Sequence, residues 1–179
     1  MARIIESTLM TLDGVIEDPA KWVGRYLDDD FQKGALERLL RTEAMLMGRN
    51  TYGLLSRDWA SQKGEFAEAI NRVRKYVISS TLEQANWNNS TIVRGDVVRE
   101  VSKLKEEVDG ELAIYGHGLL SQTLLKNGPI DEIRVSIFPL LLGSGKLLFR
   151  QGEQRALRLI ETLSLPTGVV VVRYDSTAQ

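Results

Sequence analysis

Short apolar runs alternate with amphipathic helical segments along most of the chain, and this alternation limits the folds open to it more than any other feature. Arg3 to Met10 reads as a first strand, left by a turn at Asp13-Gly14, a return to apolar Val15-Ile16, and Asp18-Pro19. From Asp28 to Arg41, Phe31, Ala35, Leu36, Leu39 and Leu40 recur at helical spacing. Acids lead that segment, and Arg38 and Arg41 close it, as the helix dipole favours. Ala44 to Met47 is too short and too uniformly apolar for a surface element, so it reads as a strand buried on both faces.

The same alternation continues. Helices are expected at Thr51 to Trp59 and Glu65 to Arg74, then a strand from Lys75 to Thr81, a polar loop from Asn86 to Ser90, and a brief strand at Thr91-Ile92-Val93. Val97 to Val108 reads as a helix and Glu111 to Tyr115 as a strand. Leu119 to Lys126 reads as a helix stopped by Asn127-Gly128-Pro129. Parallel strands joined by helical crossovers satisfy such a pattern, giving an α/β sheet covered on both faces. The last third departs from it: Ile133 to Pro139, Leu157 to Leu163 and Val169 to Tyr174 read as strands, the last two joined by a Pro166-Thr167-Gly168 turn that suits an antiparallel hairpin. Ser176 to Gln179 is expected to fray.

A length of 179 residues suits a single domain, 1–179, with a substantial core. A net charge of −1, from 23 basic and 24 acidic residues, supplies no broad attraction to nucleic acid or an anionic membrane, so any phosphate ligand must be held by local charges. The absence of Cys and the presence of one His exclude disulfides, thiolate zinc sites, Cys nucleophiles and metal centres needing several histidines. The chain meets Glu6 before any long apolar region, and no later stretch is long enough to span a bilayer, so a cytoplasmic protein is expected.

Three strand ends carry polar or Gly-rich signals: Gly48-Arg49-Asn50-Thr51, Ser79-Ser80-Thr81 and Gly116-His117-Gly118. Ligands of open α/β sheets collect at the carboxyl ends of parallel strands, so the three corners are candidates for one cleft holding an extended dinucleotide. At the first corner, Gly48 admits close backbone approach, Arg49 grips phosphate with parallel hydrogen bonds, and Thr51 adds a hydroxyl. Ser79 and Ser80 suit a ribose or its 2′-phosphate, and the amides of Gly116 to Gly118 suit a pyrophosphate at a helix start. The plain alternative is turn chemistry, since Ser, Thr and Gly end strands for local reasons. Gly116-His117-Gly118-Leu119-Leu120-Ser121 places Ser121 where a dinucleotide fingerprint has its third Gly. Gly143-Ser144-Gly145-Lys146 is followed by Leu147 where a phosphate loop needs Ser or Thr, and reads as a loop with Lys146 solvated or near a phosphate. Asp13 and Asp28-Asp29-Asp30 are the carboxylates available for proton transfer, His117 is the one imidazole, and Trp22, Tyr26 and Trp59 either stack on a planar ring or fill the core.

These corners, together with Leu9-Met10-Thr11-Leu12-Asp13-Gly14-Val15-Ile16 and the run from Asp131 through Pro139-Leu140-Leu141-Leu142-Gly143-Ser144-Gly145-Lys146 to Phe149, resemble the dihydrofolate reductase-like superfamily. The similarity covers nearly the whole chain, and its nearer branch is the reductase domain of the riboflavin-biosynthesis deaminase-reductase with its stand-alone relatives. The resemblance implies a three-layer fold: a mixed, mostly parallel sheet flanked by helices with an antiparallel C-terminal hairpin. It also implies NADPH across the strand ends, hydride delivery to a pterin- or pyrimidine-like small molecule, and a homodimer. By the same resemblance Gly48, Arg49, Asn50 and Thr51 form the cofactor phosphate corner, Ser79 and Ser80 lie near the adenosine phosphate, and Gly116, His117 and Gly118 form the pyrophosphate loop. Asp13 is the first candidate for orienting substrate and the acidic run the second. A binding or sequestering protein without turnover is the reading from another class.

Overall fold

Strand β1 (Arg3–Thr11) leads through two short 3₁₀ turns to α1 (Asp29–Arg41), which passes directly into β2 (Thr42–Gly48). Then follow α2 (Arg49–Trp59), α3 (Glu65–Arg72), β3 (Arg74–Ile78), β4 (Ser90–Val93), α4 (Val97–Glu107), β5 (Glu111–Tyr115), α5 (Leu119–Asn127), β6 (Glu132–Phe138), β7 (Arg158–Ser164) and β8 (Val170–Asp175). The structure is a computed structural model that describes residues 1–149 and 154–177. One sheet runs β4-β3-β2-β5-β1-β6-β8-β7. Its first six strands are parallel, and β8 and β7 complete it antiparallel. The expected α/β architecture, mostly parallel with a C-terminal hairpin, is the one observed.

Local chemistry explains the elements. Asp28 caps α1 by accepting from the Phe31 amide at 2.9 Å, with Asp29 and Asp30 in the first turn and Arg38 and Arg41 in the last. Ala44, Met45, Leu46 and Met47 are all buried, which a central parallel strand between two helical layers demands. On one face α4 and α5 set Val101, Leu104 and Leu124 against Ile4, Leu46, Leu112, Ile114 and Val135. On the other, α1, α2 and α3 set Leu39, Tyr52 and Ile70 against Met45, Met47 and Val77.

Several boundaries differ from the sequence reading. Helix α2 starts at Arg49, with no residue spent between strand and helix. Strand β3 stops at Ile78, short of Thr81, because the Ser79 hydroxyl accepts from the Thr81 and Leu82 amides and turns the chain. Ser176 is anchored, donating to the Ile130 carbonyl from its hydroxyl and to the Asp131 carbonyl from its amide. Of the tail expected to fray, 178–179 lies outside the described residues. Trp22 and Tyr26 meet Phe138 edge-on at 5.3 and 5.5 Å, and Trp59 packs on Phe66 at 4.8 Å, so these aromatics fill the core.

Candidate cofactor cleft

The chain leaves β2 through α2 and α3 outward to β3 and β4, and it leaves β5 through α5 in the opposite sense to β6. Adjacent β2 and β5 therefore form a topological switch point, where the helices that follow diverge and open a crevice beyond the carboxyl ends of the strands. A cleft of about 540 Å³ lies there, lined by Gly48, Arg49, Asn50 and Thr51 on one wall and by Tyr115, Gly116, Gly118 and Ser121 on the other. Two of the three expected corners thus share one cavity. Ile78, Val97, Leu119 and Leu120 give it an apolar side, and Lys146 reaches it from the loop after β6.

Both helix starts at the cleft are left open. Asp28 caps α1 and Asp96 caps α4, and α1, α3 and α4 carry acids in their first turns. Gly48 at α2 and Gly118 at α5 offer no capping side chain, and neither helix has an acid in its first turn. The unpaired N–H groups and positive dipole ends of two helices therefore face one cavity, which is the arrangement an anionic ligand requires. A Cβ added at Gly48, Gly116 or Gly118 would meet no atom within 4 Å, so the missing side chains leave room for a ligand and do not make way for a neighbour. Gly116 has φ +81°, a left-handed conformation that a side chain would strain.

The remaining expected residues divide. Arg49 is exposed and donates from Nη1 to the Thr81 hydroxyl at 3.0 Å, which ties the first corner to the segment after β3. Ser79 and Ser80 do not line the cleft: the Ser79 oxygen is occupied by the turn, and the Ser80 carbonyl accepts from Arg94 at 2.9 Å. His117 lends its backbone to the loop, but its ring turns inward, with Nδ1 2.5 Å from Oε1 of Glu6; both side chains are almost wholly buried. A charged residue at an inward position of the apolar run Ile4-Ile5-Glu6 was the signal for this pair.

Asp13 does not enter the cleft. Its carboxylate accepts from the Thr11 hydroxyl and from the Leu142 and Gly143 amides at 3.0 and 2.7 Å. The Thr11 hydroxyl, and then the Gly143 amide, hold it below the usual carboxylate range, which suits a loop tie and opposes proton donation. With an antiparallel bridge between Val15 and Leu147, this tie fixes the loop that carries Lys146. No carboxylate lines the cleft among the described residues. Tyr115 borders the wall, but its phenol turns to the other face of the sheet, hydrogen-bonded to Thr42 near Arg38 and Arg134, with its ionisation pushed up by burial.

The family model for the RibD C-terminal domain matches residues 2–171. The chain belongs to that family. This RibD C-terminal domain is 31% identical, over 96% of its length and 94% of the relative's, to the uncharacterized protein YyaP of Bacillus subtilis strain 168. It is also similar to a solved structure from Shewanella sp. PV-4, named as a riboflavin biosynthesis candidate, with TM-score 0.76, 25% identity and 98% of each chain covered. RibD of Acinetobacter baumannii shares the fold at TM-score 0.68 and 15% identity, with 99% of this chain spanning 59% of that one. No helix among the described residues is long and apolar enough to cross a membrane.

Proposed function

We propose that the protein is an NADPH-dependent reductase that transfers hydride to a small pterin-, pyrimidine- or similar heteroaromatic substrate in the cytoplasm. The observation that carries this reading is the pair of uncapped helix starts facing one cleft at the switch point, beside an exposed guanidinium, in a RibD C-terminal domain. The donor set fits a dinucleotide: the first-turn amides of α5 after Gly116 and Gly118 suit the pyrophosphate, and those of α2 with Asn50 and Thr51 suit phosphate or ribose oxygens. Arg49 is positioned for a 2′-phosphate, and the Ile78, Val97 and Leu119 side suits a planar base. When bound, the nicotinamide supplies the hydride. The protein's own part is to orient it, exclude water and answer the charge that develops on the substrate; Lys146 is the cleft cation outside the phosphate corner available for that task.

NADPH and NADH are titrated against intrinsic fluorescence, and NADPH oxidation is then followed across pterins, pyrimidines and quinones. Tighter binding of NADPH together with turnover of at least one ring substrate is the expected result. Absence of binding by either cofactor refutes the reading. The lack of a carboxylate lining the cleft among the described residues favours one second reading, a protein that sequesters a planar ligand without reducing it, and saturable ligand binding with no oxidation by any substrate would establish that instead. A homodimer is part of the proposal: all seven residues of β7 are exposed, including Leu159, Ile160 and Leu163, on an edge strand suited to pairing with a second copy. Light scattering of the purified chain tests it, and a monomer mass at working concentration would dismiss it.

A further inference from the structure

On the face covered by α1, across β6, β8 and β7, a groove of about 180 Å³ is lined by Arg38, Arg41, Arg134 and Arg173, with Glu37 and Glu161. It shares no lining residue with the cofactor cleft. Its floor is built on Glu132, whose fully buried carboxylate serves three guanidiniums: Arg173 at 2.7 and 2.9 Å, Arg134 at 3.0 Å and Arg3 at 3.2 Å. Glu161 takes one further bond from Arg173 at 2.6 Å. Five guanidiniums therefore meet three carboxylates, and the surplus is positive.

Two details locate the surplus. Among the described residues the buried Arg134 Nε–H has no acceptor, an arrangement that is unfavourable unless something arrives to accept it. Among the described residues the Arg38 guanidinium makes no ion pair, and burial together with the neighbouring Arg134 charge holds it below its ordinary value. Gly34 supplies an independent sign. A glycine inside a helix is less favourable than alanine. A Cβ at Gly34 would lie 3.1 Å from Arg38 Nη1, so its absence is what lets that guanidinium fold over the helix into the groove.

We propose that this groove binds a phosphoryl group as a second anion site, separate from the cofactor cleft. A dianion with three acceptor oxygens answers a surplus of two positive charges and the orphaned Arg134 donor more fully than a carboxylate does. The groove is large enough for one such group and too small for a nucleotide.

The test uses inorganic phosphate and the full chain with ¹⁵N-labelled arginine. Arg49→Ala is introduced as background, to remove the guanidinium of the other site. Saturable shifts of the Arg134 Nε–H and of the Arg38 resonances are expected, with phosphate affinity falling at least tenfold in Arg38→Gln. NADPH titration of Arg38→Gln with Arg49 intact should be unchanged, so the outcome does not depend on which cofactor the main cleft takes. Gly34→Ala is a second probe that keeps every charge: its thermal midpoint should rise while phosphate binding weakens several-fold. Equal phosphate affinity in Arg38→Gln and its parent, or no movement of the Arg134 signal, overturns the proposal, and acetate binding as tightly as phosphate at equal ionic strength overturns the phosphoryl assignment.

Discussion

Replacing Arg49 with alanine should separate NADPH from NADH. The guanidinium is held at the cleft by one hydrogen bond, to the Thr81 hydroxyl at 3.0 Å, and keeps its other donors for a ligand. A hydrogen bond to a charged group contributes about 1.5–3 kcal/mol, and exposure to screening solvent places this one near the lower figure. A loss of about 1.5 kcal/mol corresponds to roughly a tenfold rise in the NADPH Kd. NADH lacks the 2′-phosphate, so its Kd should move by less than about twofold. The difference should shrink as salt is raised, because the pair is screened within about 10 Å at ordinary ionic strength. Thr81→Ala, which frees the guanidinium without removing it, should reduce the preference only in part. Parallel fluorescence titrations of the two cofactors at low and high salt measure all of this, and equal losses for NADPH and NADH in Arg49→Ala would refute the assignment.

Three further outcomes follow from side chains near the strand ends and helices. Lys75 is fully buried, donates to the Asn71, Val73 and Asn88 carbonyls, and lies 4.4 Å from the centre of the Trp87 ring. Burial pushes its ammonium down from 10.5 to about 8, so between those values the unfolded chain binds more protons and stability from this group rises with pH. The gain is at most about 3 kcal/mol, and a Lys75→Met variant should lose it in denaturant titrations from pH 7.5 upward. Glu6→Leu strands the buried His117 ring without its partner and should cost about 1–3 kcal/mol, with faster amide exchange at Gly116 to Gly118 than in Glu6→Gln. Asp13→Ala should release the 142–148 loop without abolishing cofactor binding, and in the native protein the tie should persist as pH falls through 3.8 and fail only below it, since Asp13 titrates lower than an ordinary carboxylate; exchange rates at Leu142 and Gly143 report both.

The fold was legible because its signals are local. The uniform apolarity of Ala44 to Met47, the acid-led and base-ended segment before it, and the Pro166-Thr167-Gly168 turn each specify an element without knowledge of the rest. The Gly48 and Gly116 corners were legible for the same reason, since an uncapped glycine between strand and helix can be read from neighbours alone. What a side chain does across 100 residues cannot be read that way. The acidity of Asp13 suggested chemistry, yet its partners are amides 129 and 130 positions away. His117 stood alone in the sequence, and Glu6, 111 positions earlier, claims it. Ser79 and Ser80 resembled ligand hydroxyls because a turn uses the same residue types.

Strand β1 is the first strand in the chain, yet its two neighbours are β5 and β6, residues 111–115 and 132–138. During synthesis an apolar, β-prone segment must therefore wait unpaired until residues 111–115 have left the ribosome. Chaperone capture or aggregation competes with folding throughout that interval. Charge or proline substitutions on β5 that leave the finished protein stable should thus still lower the yield of folded chains, and in a fragment ending before residue 111 strand β1 has no partner in this sheet.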